Sequence, residues 1–164
     1  FFYGAPLYDG SGDAFHGKVL RYDTTGDLAS FSLRYGDYGH NGGLCAAVPG
    51  PSFLVNTTTG VASIAAHQVL NPGWHYLAGV YNGRSLKLFV DGRLVAERAA
   101  TGKVLHNATP ISIGALANGT TQFQGHIEGV RAASIARSDD WLKTVYANLA
   151  APTNFVHLGQ EEVL

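Results

Sequence analysis

The 164-residue chain has no methionine, one cysteine and few charges. Each shortage excludes something. With Cys45 alone, no disulfide can close within the chain, so the fold must rest on its core. Cys45 lies among Leu44, Ala46, Ala47 and Val48, which reads as a buried strand with an inert thiol; an intermolecular disulfide is the other use. Charged residues make up 14% of the chain, where soluble domains average roughly 25%. The net charge is −1, with Lys and Arg balanced by Asp and Glu. That excludes an electrostatic grip on nucleic acid or on an anionic membrane. No apolar run approaches the roughly 20 residues of a membrane-spanning helix. The chain opens on Phe1-Phe2-Tyr3 without a methionine, and is expected to be processed or excised from a longer precursor. The histidines show neither His-x-His nor His-x-x-x-His spacing, which leaves zinc little support. No Gly-x-Ser-x-Gly elbow marks a serine nucleophile.

What remains is apolar and rich in turns. Apolar residues are 46% of the chain, enough for one domain with a real core. Short apolar stretches alternate with turn residues almost throughout. Strands are expected at 17–22, 28–35, 44–48, 52–56, 61–65, 74–81, 86–90, 94–96, 110–114, 123–131 and 155–159. Residues 74–81 carry apolar side chains on both faces, the mark of a strand covered on both sides. Trp74, Tyr76, Val80, Leu88 and Val90 are therefore expected in the core. Asn82-Gly83 and Asp91-Gly92 are hairpin signals about nine residues apart, and together define an antiparallel meander. One helix stands out near the C-terminus. Ser138 suits its N-cap and Asp139 and Asp140 its first turn, while Trp141, Val145 and Leu149 form an apolar stripe ended by Pro152.

Several of these stretches also form a recognisable order. Asn71-Pro-Gly-Trp-His-Tyr-Leu-Ala-Gly-Val-Tyr-Asn-Gly83, followed by Leu86-Lys-Leu-Phe-Val-Asp-Gly92, resembles the central motif of laminin-G-like domains. Ile111-Ser-Ile-Gly114 and Phe123-Gln-Gly-His-Ile-Glu-Gly-Val-Arg131 resemble the closing motif of that superfamily, and 136–148 its terminal helix in bacterial members. The resemblance spans about 17–162 and implies an all-β, two-sheet antiparallel jelly-roll sandwich of the concanavalin A-like kind, with one short C-terminal helix. The expected organisation is an N-terminal segment, 1–16, which matches nothing in the pattern, and a sandwich domain, 17–164. Where the family has Asp-Glu this chain has Glu128-Gly129, which weakens a metal-ligand role for that strand.

The resemblance implies a secreted or cell-surface recognition or adhesion domain, lectin-like or carbohydrate-binding, whose partner is a glycan or a cell-surface protein. Hydrolases of this superfamily set paired carboxylates along one strand as Glu-x-Asp-x-x-Glu, and this chain has no such run; Glu97, Glu128, Glu161 and Glu162 are scattered. A polysaccharide-acting hydrolase or lyase is the weakest reading, and no catalytic residue is assigned. The aromatic faces and short polar groups of Tyr35, Tyr38, His40 and Asn41 suit a sugar ring. Trp74 is either a stacking platform or core. Calcium is the one cofactor with candidate ligands: Asp23 and Asp27 in one group of turns and Asp37 in another, residues that also simply form turns. Asn56, Asn107 and Asn118 head Asn-x-Thr glycosylation sequons. Phe1, Phe2, Tyr3, Leu7 and Tyr8 crowd the N-terminal segment with large apolar side chains. Such a segment either packs as an ordinary first strand or pairs with the sheet edge of another copy. The second option makes a subunit of a self-assembling filament or surface layer the alternative function.

Overall fold

The computed structural model describes residues 17–18, 31–35, 50–106, 111–115, 123, 125–155 and 159. Among these residues seven strands form two antiparallel sheets. The first runs β1 (Gly17–Lys18), β2 (Phe31–Tyr35), β3 (Pro51–Thr57) and β4 (Gly60–Ala65) in that spatial order; the second runs β5 (Leu77–Tyr81), β6 (Ser85–Val90) and β7 (Arg93–Ala99). Within each sheet every strand pairs with its sequence neighbour, and short turns join β3 to β4, β5 to β6 and β6 to β7. The sandwich expected from the sequence is the architecture found.

The core between the sheets takes alternate residues from each strand. Leu33 and Tyr35 of β2, with Phe53 and Val55 of β3, meet Leu77 of β5 and Leu86, Leu88 and Val90 of β6. The sheets touch most intimately where the Phe53 ring lies over Gly79. A Cβ at that position would fall 2.4–2.6 Å from the ring carbons, so only glycine lets the aromatic face rest on the β5 backbone. The outer face of the second sheet is equally apolar. Tyr76, Ala78, Val80 and Phe89 are buried there under Leu142 of the helix α1 (Asp139–Ala150). The central strand of the motif is thus covered on both sides, as its composition requires.

Helix α1 begins where expected: the Ser138 hydroxyl accepts from the Trp141 N–H at 3.2 Å. Trp141 and Val145 pack against the second sheet as expected, joined there by Leu142 and Tyr146. Leu142 is fully buried, Trp141 and Val145 are half-buried, and Leu149 is exposed. The start of the helix is tied to β6 by Lys87, whose ammonium bonds both Asp139 carboxylate oxygens at 3.0 Å. That hydrogen bond, with the charges of Asp139 and Glu97, outweighs burial and holds the lysine above its ordinary pKa range. The lysine's contribution to the pair is therefore present at neutral pH and is lost as pH rises through that elevated range. Pro152 ends α1 but also opens a second helix, α2 (Pro152–Phe155), a position where its missing N–H is not needed. Phe155 is therefore helical, not the start of a strand.

Three further expectations change. Trp74 is not in the core: β5 starts at Leu77, and Trp74 is 57% exposed ahead of it. Pro72 has no N–H for a ladder, and pairing with β6 begins only at Leu77 opposite Val90. Among the described residues, 111–115, 123 and 125–131 form no strand, although the Phe123 N–H donates to the Gly114 carbonyl at 2.6 Å. The backbone turns left-handed at Gly114 and Gly129, which interrupts an extended run. Between Asn82 and Ser85 only Gly83 takes positive φ; the Asn82 side chain instead accepts from the Arg84 and Ser85 N–H groups. The expected strand at 44–48, with Cys45, lies outside the described residues.

Two substitutions test this packing. Leu88→Ala should cost about 2–5 kcal/mol in denaturant unfolding, the usual loss for a fully buried leucine; a loss under about half of one kcal/mol would mean the register is wrong. Gly79→Ala, although it adds a single methyl, should cost about 1–3 kcal/mol because Phe53 must move.

Candidate ligand-binding site

An exposed aromatic group stands at the entrance to the central hairpin. Asn71-Pro72-Gly73 brings the chain to β5 as an exposed turn, and Trp74 projects from it. The His126 ring lies beside the indole, with centroids 6.3 Å apart and planes tilted by 34°. His126 is itself exposed, so the two rings present one open aromatic surface.

This surface has a polar foundation. His75 Nδ1 is 2.7 Å from Asp91 Oδ2, and His75 Nε2 is 2.8 Å from the Asn71 carbonyl oxygen. The other Asp91 oxygen accepts from the Tyr76 N–H at 2.9 Å, and the Asp91 N–H donates to the Tyr76 carbonyl at 2.8 Å. Asp91 can do this because it occupies the first place of the tight Asp91-Gly92 turn, with both residues at positive φ (50° and 71°). The hairpin register places Tyr76 and Asp91 one step beyond the Leu77–Val90 pair, which brings His75 onto the carboxylate. One aspartate thus ties the turn after β6 to the approach of β5, and one histidine ties that approach back to Asn71.

The residues singled out from sequence fare differently. Tyr35 is the last residue of β2 and only 6% exposed; its hydroxyl accepts from the Leu70 N–H at 3.0 Å. Its ring belongs to the core and offers no face to a sugar. Tyr38, His40 and Asn41 lie outside the described residues, as do Asp23, Asp27 and Asp37 and the apolar Phe1, Phe2, Tyr3, Leu7 and Tyr8. Among the described residues no three His, Cys, Asp or Glu side chains come together, and no helix is long and apolar enough to cross a membrane. Asn56 is 8% exposed within β3, and the Leu105 N–H donates to its carbonyl at 2.9 Å. A glycan has no outlet from that side chain in the folded chain, so the sequon there reads as chance. Asn107 and Asn118 lie outside the described residues.

Residues 9–143 match a laminin-G family model described as the concanavalin A-like lectin/glucanases superfamily. The chain belongs to this superfamily. No curated protein matches it. A similar solved structure is the 2.1 Å crystal structure of an S-layer domain-containing protein (residues 221–444) from Clostridium thermocellum ATCC 27405. That protein is 17% identical, with 85% of this chain and 67% of that chain covered and a TM-score of 0.43. Superfamily membership agrees with the two-sheet architecture. Its description spans binding proteins and enzymes alike, so the chemistry has to be argued from the residues.

Sequence reasoning missed the His75–Asp91 pair. Its signal was present in the hairpin: a histidine just before one strand and the aspartate of the Asp-Gly turn just after its partner. Removing Asp91 should show its weight. Asp91→Ala leaves the Tyr76 N–H without its acceptor and should lower unfolding stability by about 1–3 kcal/mol, whereas Asp91→Asn, which keeps that acceptor, should cost less.

Proposed function

We propose that the chain is a non-catalytic extracellular recognition domain that binds glycans on the open face of Trp74. The carrying observation is the position of that indole: 57% exposed and flanked by the exposed His126. An indole offers a broad apolar face for the C–H side of a sugar ring, and its N–H and neighbouring polar groups can meet hydroxyls at the rim. The backing clamp of His75 and Asp91 supports the same reading, since a platform fixed beforehand loses less freedom on binding.

The carboxylates support binding over hydrolysis. A retaining glycosidase needs two free carboxyl groups about 5 Å apart. Asp91 is committed to His75 and the Tyr76 amide, and Asp139 to Lys87. The sequence has no Glu-x-Asp-x-x-Glu run to supply another pair.

A glycan array probed with the wild-type chain and with Trp74→Ala tests the proposal. The wild type should bind a subset of glycans, and the variant should lose at least about 1 kcal/mol of that binding, the scale of one aromatic contact, with an unchanged thermal midpoint. Undiminished binding by Trp74→Ala, or conversion of arrayed oligosaccharides to shorter products, would overturn it. Repeating the array with EDTA asks whether calcium, held by Asp23, Asp27 or Asp37, contributes to the site.

A further inference from the structure

We infer that the connection from β4 to β5, residues 66–75, extends the Trp74 platform into a second subsite built on Val69 and Gln68, so that the site takes an uncharged stretch of at least two linked sugar rings. This rests on the reading of Trp74 as the glycan face and names the class of glycan it takes.

The connection leaves the first sheet after Ala65 and enters the second at Leu77, so it crosses the end of the sandwich. Packed sheets lie roughly 10 Å apart, a span that one sugar ring does not cover and two linked rings do. Along this crossing the backbone is pinned at intervals. The Ala66 N–H donates to the Pro51 carbonyl at 2.9 Å, and the Leu70 N–H donates to the Tyr35 hydroxyl at 3.0 Å, with Leu70 itself buried. The Gln68 carbonyl oxygen lies 1.8 Å from where a Cβ on Gly50 would fall, a position that only glycine leaves open. His75 fastens the far end. Between these anchors His67 is held at φ 54°, a left-handed conformation uncommon outside glycine. Strain of this kind persists only where the surroundings impose it, and it gathers at segments that clamp ligands.

The side chains left outward are of the kind a sugar chain meets. Val69 is 56% exposed and Trp74 57%. Gln68 and Asn71 are exposed beside them, and among the described residues neither side-chain amide is engaged by another protein group. An amide donates and accepts, which suits neighbouring hydroxyls, while the apolar surfaces suit the C–H faces of the rings.

Charge decides the class of sugar. The chain has no Asp, Glu, Lys or Arg between Asp37 and Arg84. The charged groups beside the platform are carboxylates: Asp91, engaged by His75, and the exposed Glu128, two residues beyond His126. The crossing therefore offers no ammonium or guanidinium to a sulfate or a sugar carboxylate, and Asp91 and Glu128 disfavour one.

Calorimetric titration of the wild-type chain with cello-, manno- and chito-oligosaccharides of increasing length tests this, with heparin-derived and sialylated oligosaccharides as acidic probes. For at least one neutral series, affinity should rise at least about tenfold from the single sugar to the trisaccharide and then level off. The acidic probes should bind no better than the single sugar. Val69→Ala and Gln68→Ala should each weaken trisaccharide binding about three- to tenfold, without moving the thermal midpoint, since both side chains are exposed. If either variant fails to fold, the length series of the wild-type chain still decides. Affinity independent of length, tighter binding of the acidic probes, or a trisaccharide affinity untouched by both substitutions would overturn the inference. The glycan array separates this from the reading beneath it. Array binding that depends on Trp74, together with a failed length series or one in which no neutral series binds, retires the second subsite alone. Array binding indifferent to Trp74 retires both.

Discussion

The approach of Phe53 to Gly79 is the contact on which the second sheet depends. With no side chain at that position, the aromatic ring rests on the β5 backbone. That contact fixes which way every β5 residue faces. Leu77 points into the sandwich, and Tyr76, Ala78 and Val80 point outward, where they would be an open apolar face on an isolated sheet. A third layer is therefore obligatory. Helix α1 supplies it from sixty residues further along the chain, with Leu142 as the wedge and the Lys87–Asp139 ion pair as the guide. The helix is a structural consequence of a strand that is apolar on both sides, not an appendage.

The remaining chain around the first sheet is held by polar stitching. The Thr58 N–H donates to the Lys103 carbonyl, the Lys103 N–H donates to the Thr58 hydroxyl, and the Tyr81 hydroxyl donates to the Gly102 carbonyl. Thr57, only 2% exposed, directs its hydroxyl to the Thr101 carbonyl at 2.9 Å. These bonds run the segment after β7 along the end of the β3–β4 hairpin. A chain with so few charges satisfies its buried polar groups with hydroxyls and backbone amides, which is what its composition leaves available.

The parts of this architecture that were legible in the sequence are those decided by a few neighbouring residues. Asp91-Gly92 requires two positive φ values and obtains them; Ser138 caps because a hydroxyl suits that place; residues 77–81 are apolar on both faces and are covered on both. What failed was decided by distant residues. Trp74 continues an apolar stretch, and nothing local reveals that pairing starts three residues later. Ile111 and Ile113 alternate as a strand would, yet are 59% and 51% exposed, since alternation gives a face but not a partner. Trp141 and Val145 do pack on the sheet, but the fully buried helix residue is Leu142, which lies off the expected stripe, and Leu149 is exposed. Tyr35 ends the expected strand at 28–35 and also stands among the candidate sugar contacts, and only the first of these placements agrees with its burial. Counting by twos from Leu33 would have placed it inside.

The exposure of Trp74 and the burial beneath it have one cause. Tyr76 already fills the first outward place of the hairpin and Leu77 the first inward one, and both are almost fully buried. No core position remains for a third large side chain at that end. His75, meanwhile, is fastened on both nitrogens, so the backbone cannot swing to make one. The indole is held out by the same bonds that finish the hairpin. A large apolar ring kept in water forfeits burial energy of the order of 1.5–3 kcal/mol, and a fold that had room to bury it would gain by doing so. Here the room is gone before the tryptophan is reached. The ring consequently stands at the end of the second sheet, beside a turn fastened by the hydrogen bonds of His75. Those are the properties a contact surface needs, and they follow from how the hairpin closes.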